Sequence, residues 1–222
     1  MKRFLIIAAA AAFVASGLTG CHKNKEEVGE TTEEARAEAQ VEPQIDSVMT
    51  DNVWSKVDPM DIDFNPFSRF GNDWMALATG SKKGFNSMTI AWGSIGQLWN
   101  KPVVIVYVSK DRYTKKLMDD NAYFTVTGFP RTKASRNSLE YIGSHSQREE
   151  PDKTANAGLT VEFTDLGNPT FTQGNICFEC KNIYSDEFET DKIPSDILDG
   201  MYAEMGMHTM YIGEIVNVLE KK

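Results

Sequence analysis

Residues 84–94 read GFNSMTIAWGS, a short stretch dense in groups that can bind. Asn86, Ser87 and Thr89 offer side-chain hydrogen-bond partners, and Met88 and Trp92 offer apolar or flat surface. Gly84 allows close approach to the backbone. Further on, Asp111-Arg112-Tyr113-Thr114-Lys115-Lys116 follows an apolar strand pattern and opens a helix. A helix start presents free N–H groups and a dipole that favour an anion. Arg112 adds a fork for phosphate oxygens, and Thr114 a hydroxyl. These are the parts that a flavin mononucleotide (FMN) site needs: cations and donors for a phosphate, partners for a ring edge, and apolar walls. Each segment also has a plainer reading. A strand with Ser and Thr can be an exposed face, and RYTKK can be a solvated helix start.

The elements that must position these residues read mainly as strands. WMALAT (74–79) is a short apolar run ended by Gly80, and SMTIAW (87–92) follows the turn GSKKGFN. PVVIVYVS (102–109) is the clearest strand, β-branched and apolar on both faces. AYFTVT (122–127), LTVEF (159–163), ICFECKNIY (176–184) and TMYIGEIVNVL (209–219) follow. Helices are predicted over 114–120, 133–141 and 195–205, the last with Ser195 as N-cap and Gly206 after its end. Many strands with few, short helices predict a mainly β barrel or sandwich rather than a doubly wound sheet. No GxGxxG or P-loop pattern is present, so a Rossmann-type cofactor site is not supported.

The chain opens MKRFLIIAAAAAFVASGLTGC, with Lys2 and Arg3 before an apolar run. This reads as a signal peptide over 1–20, its apolar run short of the ~20 residues that a spanning helix needs. LTGC resembles the lipobox of bacterial lipoproteins, which makes Cys21 the expected lipidation site and the protein extracytoplasmic and membrane-anchored. The formal charge is −9, and −11 without Lys2 and Arg3, which argues against nucleic acid or an anionic surface as partner. Residues 21–50 read as the lipidated Cys and a flexible acidic tether, since a stretch rich in Glu, Ala and Thr with no aromatic residue cannot offset its ordering entropy. From residue 51 aromatic residues arrive close together, and 51–222 is long enough for one domain with a sizeable core.

Cys177 and Cys180 spell CFEC, but residues three apart in a strand point to opposite faces. A disulfide between them is awkward, and no second CxxC exists to complete a zinc site. Two unpaired thiols, at least one of them buried, are expected, and no metal site.

GFNSMTIAWGSIGQLWNKPVVIVYVSKDRYTKKLMDDNAYFTV resembles the flavin reductase-like family, and within it the flavoredoxin-type group. The shared pattern is an N-x-M-T-x-x-W-G strand, a K/R-P-hydrophobic strand, an R-x-T helix start and N-x-x-F-x-V. LEYIGSHSQREEPDKTANAGLT and HTMYIGEIV are similar to the family's later segments. The resemblance covers nearly the whole domain. It implies a split β-barrel of Greek-key type that binds FMN without a covalent link, usually as a homodimer. Carried over residue by residue, it places Asn86, Ser87, Met88 and Thr89 along the isoalloxazine, followed by Ala91 and Trp92. It places Arg112 and Thr114, with Lys115, on the phosphate side. Ser146 and Lys153 fall in a second loop near flavin or substrate. His208 corresponds to a catalytic histidine near nicotinamide or flavin; it could assist proton movement there or simply cap the strand after Gly206. Gln147 stands where relatives have Gly, so the loop is expected to be reshaped.

The expected function is an extracytoplasmic flavin reductase-like oxidoreductase with non-covalent FMN. Its donor and acceptor are unknown, because a nicotinamide donor is doubtful outside the cytoplasm. The alternative is a non-catalytic lipoprotein of the same fold that binds flavin or another ligand.

Overall fold

The computed structural model describes residues 54–221. The expected signal peptide and acidic tether, Cys21 between them, and the first residues of the expected domain lie outside the described residues.

The strands and helices run β1 (Ser55–Val57), β2 (Met75–Ser81), β3 (Gly84–Ile90), β4 (Gly93–Leu98), β5 (Lys101–Ser109), α1 (Tyr113–Asp120), β6 (Tyr123–Gly128), α2 (Lys133–Ser144), α3 (Lys153–Asn156), β7 (Val161–Phe163), β8 (Pro169–Phe171), β9 (Ile176–Glu187), α4 (Ser195–Met201) and β10 (His208–Glu220). A π-helical turn spans Phe67–Asp73. The main sheet is ordered β3-β2-β6-β9-β10-β5-β4, with β1 pairing β10 beyond the end of β5. All of its neighbours are antiparallel. β7 and β8 form a separate ribbon.

The two ends of this order, β3 and β4, do not pair with each other, yet only Ala91 and Trp92 separate them in the chain. The sheet therefore curls into a barrel that is split between β3 and β4, and the split is bridged at one end by Ala91-Trp92. The fold is mainly β with short helices, a split β-barrel.

Two hairpins set the edges of the split. Near the end of β2, Gly80 has φ 122, and a Cβ there would lie 2.4 Å from the Gly84 carbonyl oxygen of β3, so only glycine fits. Between β4 and β5, Trp99 and Asn100 have φ 51 and 59, a two-residue turn whose twist matches the flanking strands. β4 itself is not among the predicted strands. Gly93, Ser94, Gly96 and Gln97 carry little strand propensity, and pairing with β5 holds them extended.

The barrel interior is apolar. Leu77, Met88, Ile90, Val104, Val106, Phe124, Val126, Phe178 and Tyr211 are buried together in it. The segment before β2 closes one end: Phe64 stands edge-on to Phe178 at 5.0 Å, and a Cβ on Gly93 would strike the ring of Phe70. On the outer face of β2, Ala76 and Ala78 meet Leu139 and Ile142 of α2. The small alanines let the helix approach the sheet closely.

Cys177 and Cys180 are both free and buried. Cys180 joins the barrel core beside Phe124, while Cys177 hydrogen-bonds to Thr170 and Thr127, so the two thiols face opposite sides of β9. Burial pushes the Cys177 thiol up to about 11. The predicted helix over 195–205 ends at Met201, and Ser195 is its first residue rather than its cap.

Candidate functional site

Successive residues of β3 point to opposite faces and hold different helices. Asn86 donates from Nδ2 to Thr114 Oγ1 of α1 at 2.8 Å. Ser87 shares a hydrogen bond with Thr154 of α3 at 3.0 Å. Thr89 donates to the Leu139 carbonyl of α2. Met88 and Ile90 face the barrel core. The polar run in GFNSMTIAWGS thus fastens three helices around one edge of the split. Asn86 and Ser87 are fully enclosed, and the Asn86 Oδ1 atom has no partner.

Where β3 passes into Ala91-Trp92, a cavity of about 280 Å³ opens. Met88, Thr89, Ala91 and Trp92 form one wall, and Arg112 and His208 face them. Register explains the meeting. His208 begins β10 opposite Ser109, the last residue of β5, three residues before Arg112. Of the residues named from sequence, these six line the cavity. Asn86, Ser87 and Thr114 stand behind it, Lys115 pairs with Asp119, and the Ser146 hydroxyl accepts from the Arg148 backbone N–H. Ile90, Tyr107, Ser109, Asp111, Glu204 and Met205 complete the lining. Ser109 and Asp111 flank the strand end that sequence reasoning singled out. Glu204 and Met205 come from the long excursion between β9 and β10, where no motif marks them.

The electrostatics beside the cavity are unusual for so acidic a chain. Arg112 donates to the Gly143 carbonyl at 2.8 Å. Lys153, 2% exposed, donates from Nζ to the carbonyls of His145 at 3.0 Å and Ile142 at 3.3 Å. Two cations therefore converge on the C-terminal end of α2, where the helix dipole favours them. No carboxylate forms an ion pair with either among the described residues. Burial, helped by the nearby Arg112 charge and opposed by Glu150, lowers the Lys153 ammonium to about 8. A helix start with two cations beside it suits an anion.

His208 is 7% exposed, and its Nδ1 has no partner. Burial lowers its pKa, Arg112 adds to this, and Asp111 opposes it. The ring packs against Trp92 with centroids 5.0 Å apart. A neutral imidazole beside an indole offers one donor and one acceptor to whatever fills the cavity.

The second loop is tied to the same edge. Gln147 donates from Nε2 to the Phe85 carbonyl of β3 at 2.9 Å, and its Oε1 has no partner. A glycine could make no such link. His145 stacks on Tyr141 with ring centroids 3.9 Å apart, exposed to solvent. Among the described residues no cluster of three His, Cys, Asp or Glu could hold a metal, and no helix is long and apolar enough to cross a membrane.

The sequence profile of the "Flavin reductase like domain" matches residues 67–222. Solved structures share the fold. A flavoredoxin from Methanosarcina acetivorans is 20% identical with a TM-score of 0.53, over 68% of this chain and 69% of that one. The flavoredoxin of Desulfovibrio vulgaris is 24% identical with a TM-score of 0.51, over 67% and 69%. An FMN-binding domain of flavin reductases-like enzyme from Shewanella baltica is 18% identical with a TM-score of 0.54, over 77% and 78%. No curated protein sequence matches the chain.

Proposed function

The chain belongs to the family of flavin reductase like domains, and from that premise we propose that it binds FMN non-covalently and acts as an oxidoreductase. One observation carries the reading. At the barrel split, a cavity walled by Trp92 and His208 abuts a helix start beside two cations, Arg112 and Lys153, that form no ion pair with a carboxylate among the described residues. The residues fit the group. Arg112, Lys153 and the first N–H groups of α1 would hold the phosphate. Met88, Thr89, Ala91 and Trp92 would wall the ring, backed by Asn86, Ser87 and Thr114. The unpaired acceptors on Asn86 and Gln147 suit ligand hydroxyl or N–H donors. Lys115 and Ser146, outside the cavity lining, would at most support this end from α1 and the second loop.

Bound FMN supplies the redox chemistry. The chain's own part is to bind, orient and exclude water. His208, whose pKa burial lowers, would hold or pass a proton at its unpartnered Nδ1.

The protein would work outside the cytoplasm, with residues 1–20 removed and Cys21 lipidated, and as a homodimer. Its donor would be a protein or membrane component rather than a nicotinamide dinucleotide. A second reading rests on the hydroxyls of Ser87 and Thr89, both spent on internal hydrogen bonds. By that reading the chain is a carrier that binds flavin or another ligand without turnover.

An FMN titration followed by absorption and flavin fluorescence tests the proposal. Saturable quenching is expected, with photoreduced protein reoxidised by added acceptors. A colourless protein that leaves FMN fluorescence unchanged would overturn it, and flavin bound without electron exchange would favour the carrier.

A further inference from the structure

Between β9 and β10 the chain leaves the barrel, and its composition changes sharply there. From Asp186 to Glu204 it carries seven carboxylates and one lysine, a net −6 within a whole-chain charge of −9. The same segment exposes apolar side chains: Ile197 is 44% exposed, Met201 43% and Met205 40%. Helix α4, seven residues long, buries none of its side chains. So short a helix gains little stability alone, and apolar side chains at its surface are ordinarily covered by something.

Beside α4 lies a groove of about 460 Å³. Phe188, Ile193, Ile197 and Tyr202 form its apolar surface, and Asp186, Glu187 and Glu189 also line it, the last paired with the segment's one lysine, Lys192. The groove is joined to the cavity at the barrel split by two aromatic contacts. Tyr202 stands edge-on to His208 with centroids 5.7 Å apart, and Phe188 packs on Tyr107 at 5.6 Å. His208 and Tyr107 both line the cavity. Two pairs of touching rings, each with one member in the groove and the other in the cavity, therefore connect the two.

Charge decides between occupants. A second copy of this chain would bring two acidic segments face to face, and an anionic membrane surface would be repelled in the same way. A polyanionic dinucleotide would meet Glu204 and Asp111 at the cavity itself. A basic protein is attracted by the carboxylates, and its apolar contact patch can cover the exposed methionines. Small, charge-steered and short-lived contacts of this kind characterise electron-transfer encounters.

We propose that the groove beside α4 docks a basic protein carrying its own one-electron redox centre, a proposal that rests on reading the cavity as the FMN site. With FMN held in the cavity, such an encounter would let one electron pass between the partner's centre and the flavin. One centre is oxidised, the other is reduced, and no bond forms or breaks between the proteins.

The test uses ferricytochrome c as a basic probe, titrated into the purified full chain by calorimetry, where no turnover is needed. Saturable binding is expected at low salt, weakening at least about tenfold between about 20 and 200 mM salt. The variant D196N/D199N on α4 should weaken it about tenfold more than D61N/D63N, which changes the net charge equally in the segment before β2. The uncharged variant Ile197→Ala/Met201→Ala should weaken it too. Equal effects of the two acid-to-amide pairs would overturn the proposal, because net charge alone would then explain binding. Absence of binding at low salt would overturn it as well, as would a doubled molecular mass in light scattering that the Ile197→Ala/Met201→Ala variant abolishes. FMN titration of the same variants reads the cavity separately. Normal FMN binding with lost docking faults only the groove, and lost FMN binding in the unsubstituted chain faults the reading beneath it.

Discussion

The cavity has two unlike walls. One is the barrel wall, built from β3 and its continuation through Trp92. Its polar groups are buried and mostly paired, and Met88 and Ile90 root it in the core. The other is the excursion after β9, which contributes Glu204 and Met205 and whose helix α4 buries nothing. Preorganised groups belong on the first wall, because a site held by packing keeps its geometry without further cost. Adaptable contacts belong on the second, where local opening costs little free energy. The difference teaches that one cavity can be rigid toward a cofactor and compliant toward a partner.

The contrast should be largest in stability. Phe124→Ala removes a ring at the centre of the barrel, 1% exposed, and should cost about 3–5 kcal/mol in chemical denaturation. Met201→Ala on α4 should cost under about 0.5 kcal/mol. Comparable losses would mean that the excursion is as well packed as the barrel.

The next test is pH. Lys153 titrates at about 8 in the fold, against 10.5 for the free side chain. Between those values the unfolded chain binds more protons than the folded one, so this group makes stability rise with pH across that window. Below about 8 the folded chain bears the full cost of a buried ammonium, on the order of 3 kcal/mol. Lys153→Met should flatten the slope between about pH 8 and 10.5, read from denaturation midpoints. A slope unchanged by the substitution would place the titration elsewhere. FMN affinity should fall over the same rise in pH, since a neutral amine no longer attracts phosphate.

Arg112→Ala should weaken FMN binding by about 1.5–3 kcal/mol, the range for a charge-assisted hydrogen bond, as measured by fluorescence titration. The four substitutions in the α4 groove pairs should leave FMN affinity within about twofold. Unchanged affinity in Arg112→Ala would remove it from the site and leave Lys153 as the cation to test.

How much of this was legible follows the same division. PVVIVYVS is β-branched and apolar, and it forms β5 as its pattern demands. The run from Asn86 to Thr89 was legible as special, because polar groups interrupt a strand next to a core. Their immediate task was not, since whether a hydroxyl meets a helix carbonyl or a ligand depends on α1, α2 and α3 folding back. Lys153 is the clearest case. Nothing in DKTAN announces a buried amine, and only the docking of α3 against the end of α2 buries it. β4 was hidden by its glycines, and the excursion after β9 by acidic residues that read as solvated surface.

The smallest effect probes the barrel wall most closely. Asn86 has one partner, Thr114, and an Oδ1 with none. Thr114→Val keeps the shape of the side chain and removes the acceptor, leaving a fully buried carboxamide unsatisfied. The cost should be about 1–2 kcal/mol. If the pair matters only to itself, Asn86→Leu in the Thr114→Val background should cost less than Asn86→Leu alone, because the stranded amide is then absent. The cycle should show a coupling of about 1 kcal/mol without FMN. With FMN bound, the coupling should change, because a ligand donor reaching Oδ1 would anchor Asn86 independently of Thr114. A coupling identical with and without FMN would mean that Asn86 serves only to hold α1. The polar run of β3 would then reach the flavin solely through Thr89 and the residues after it.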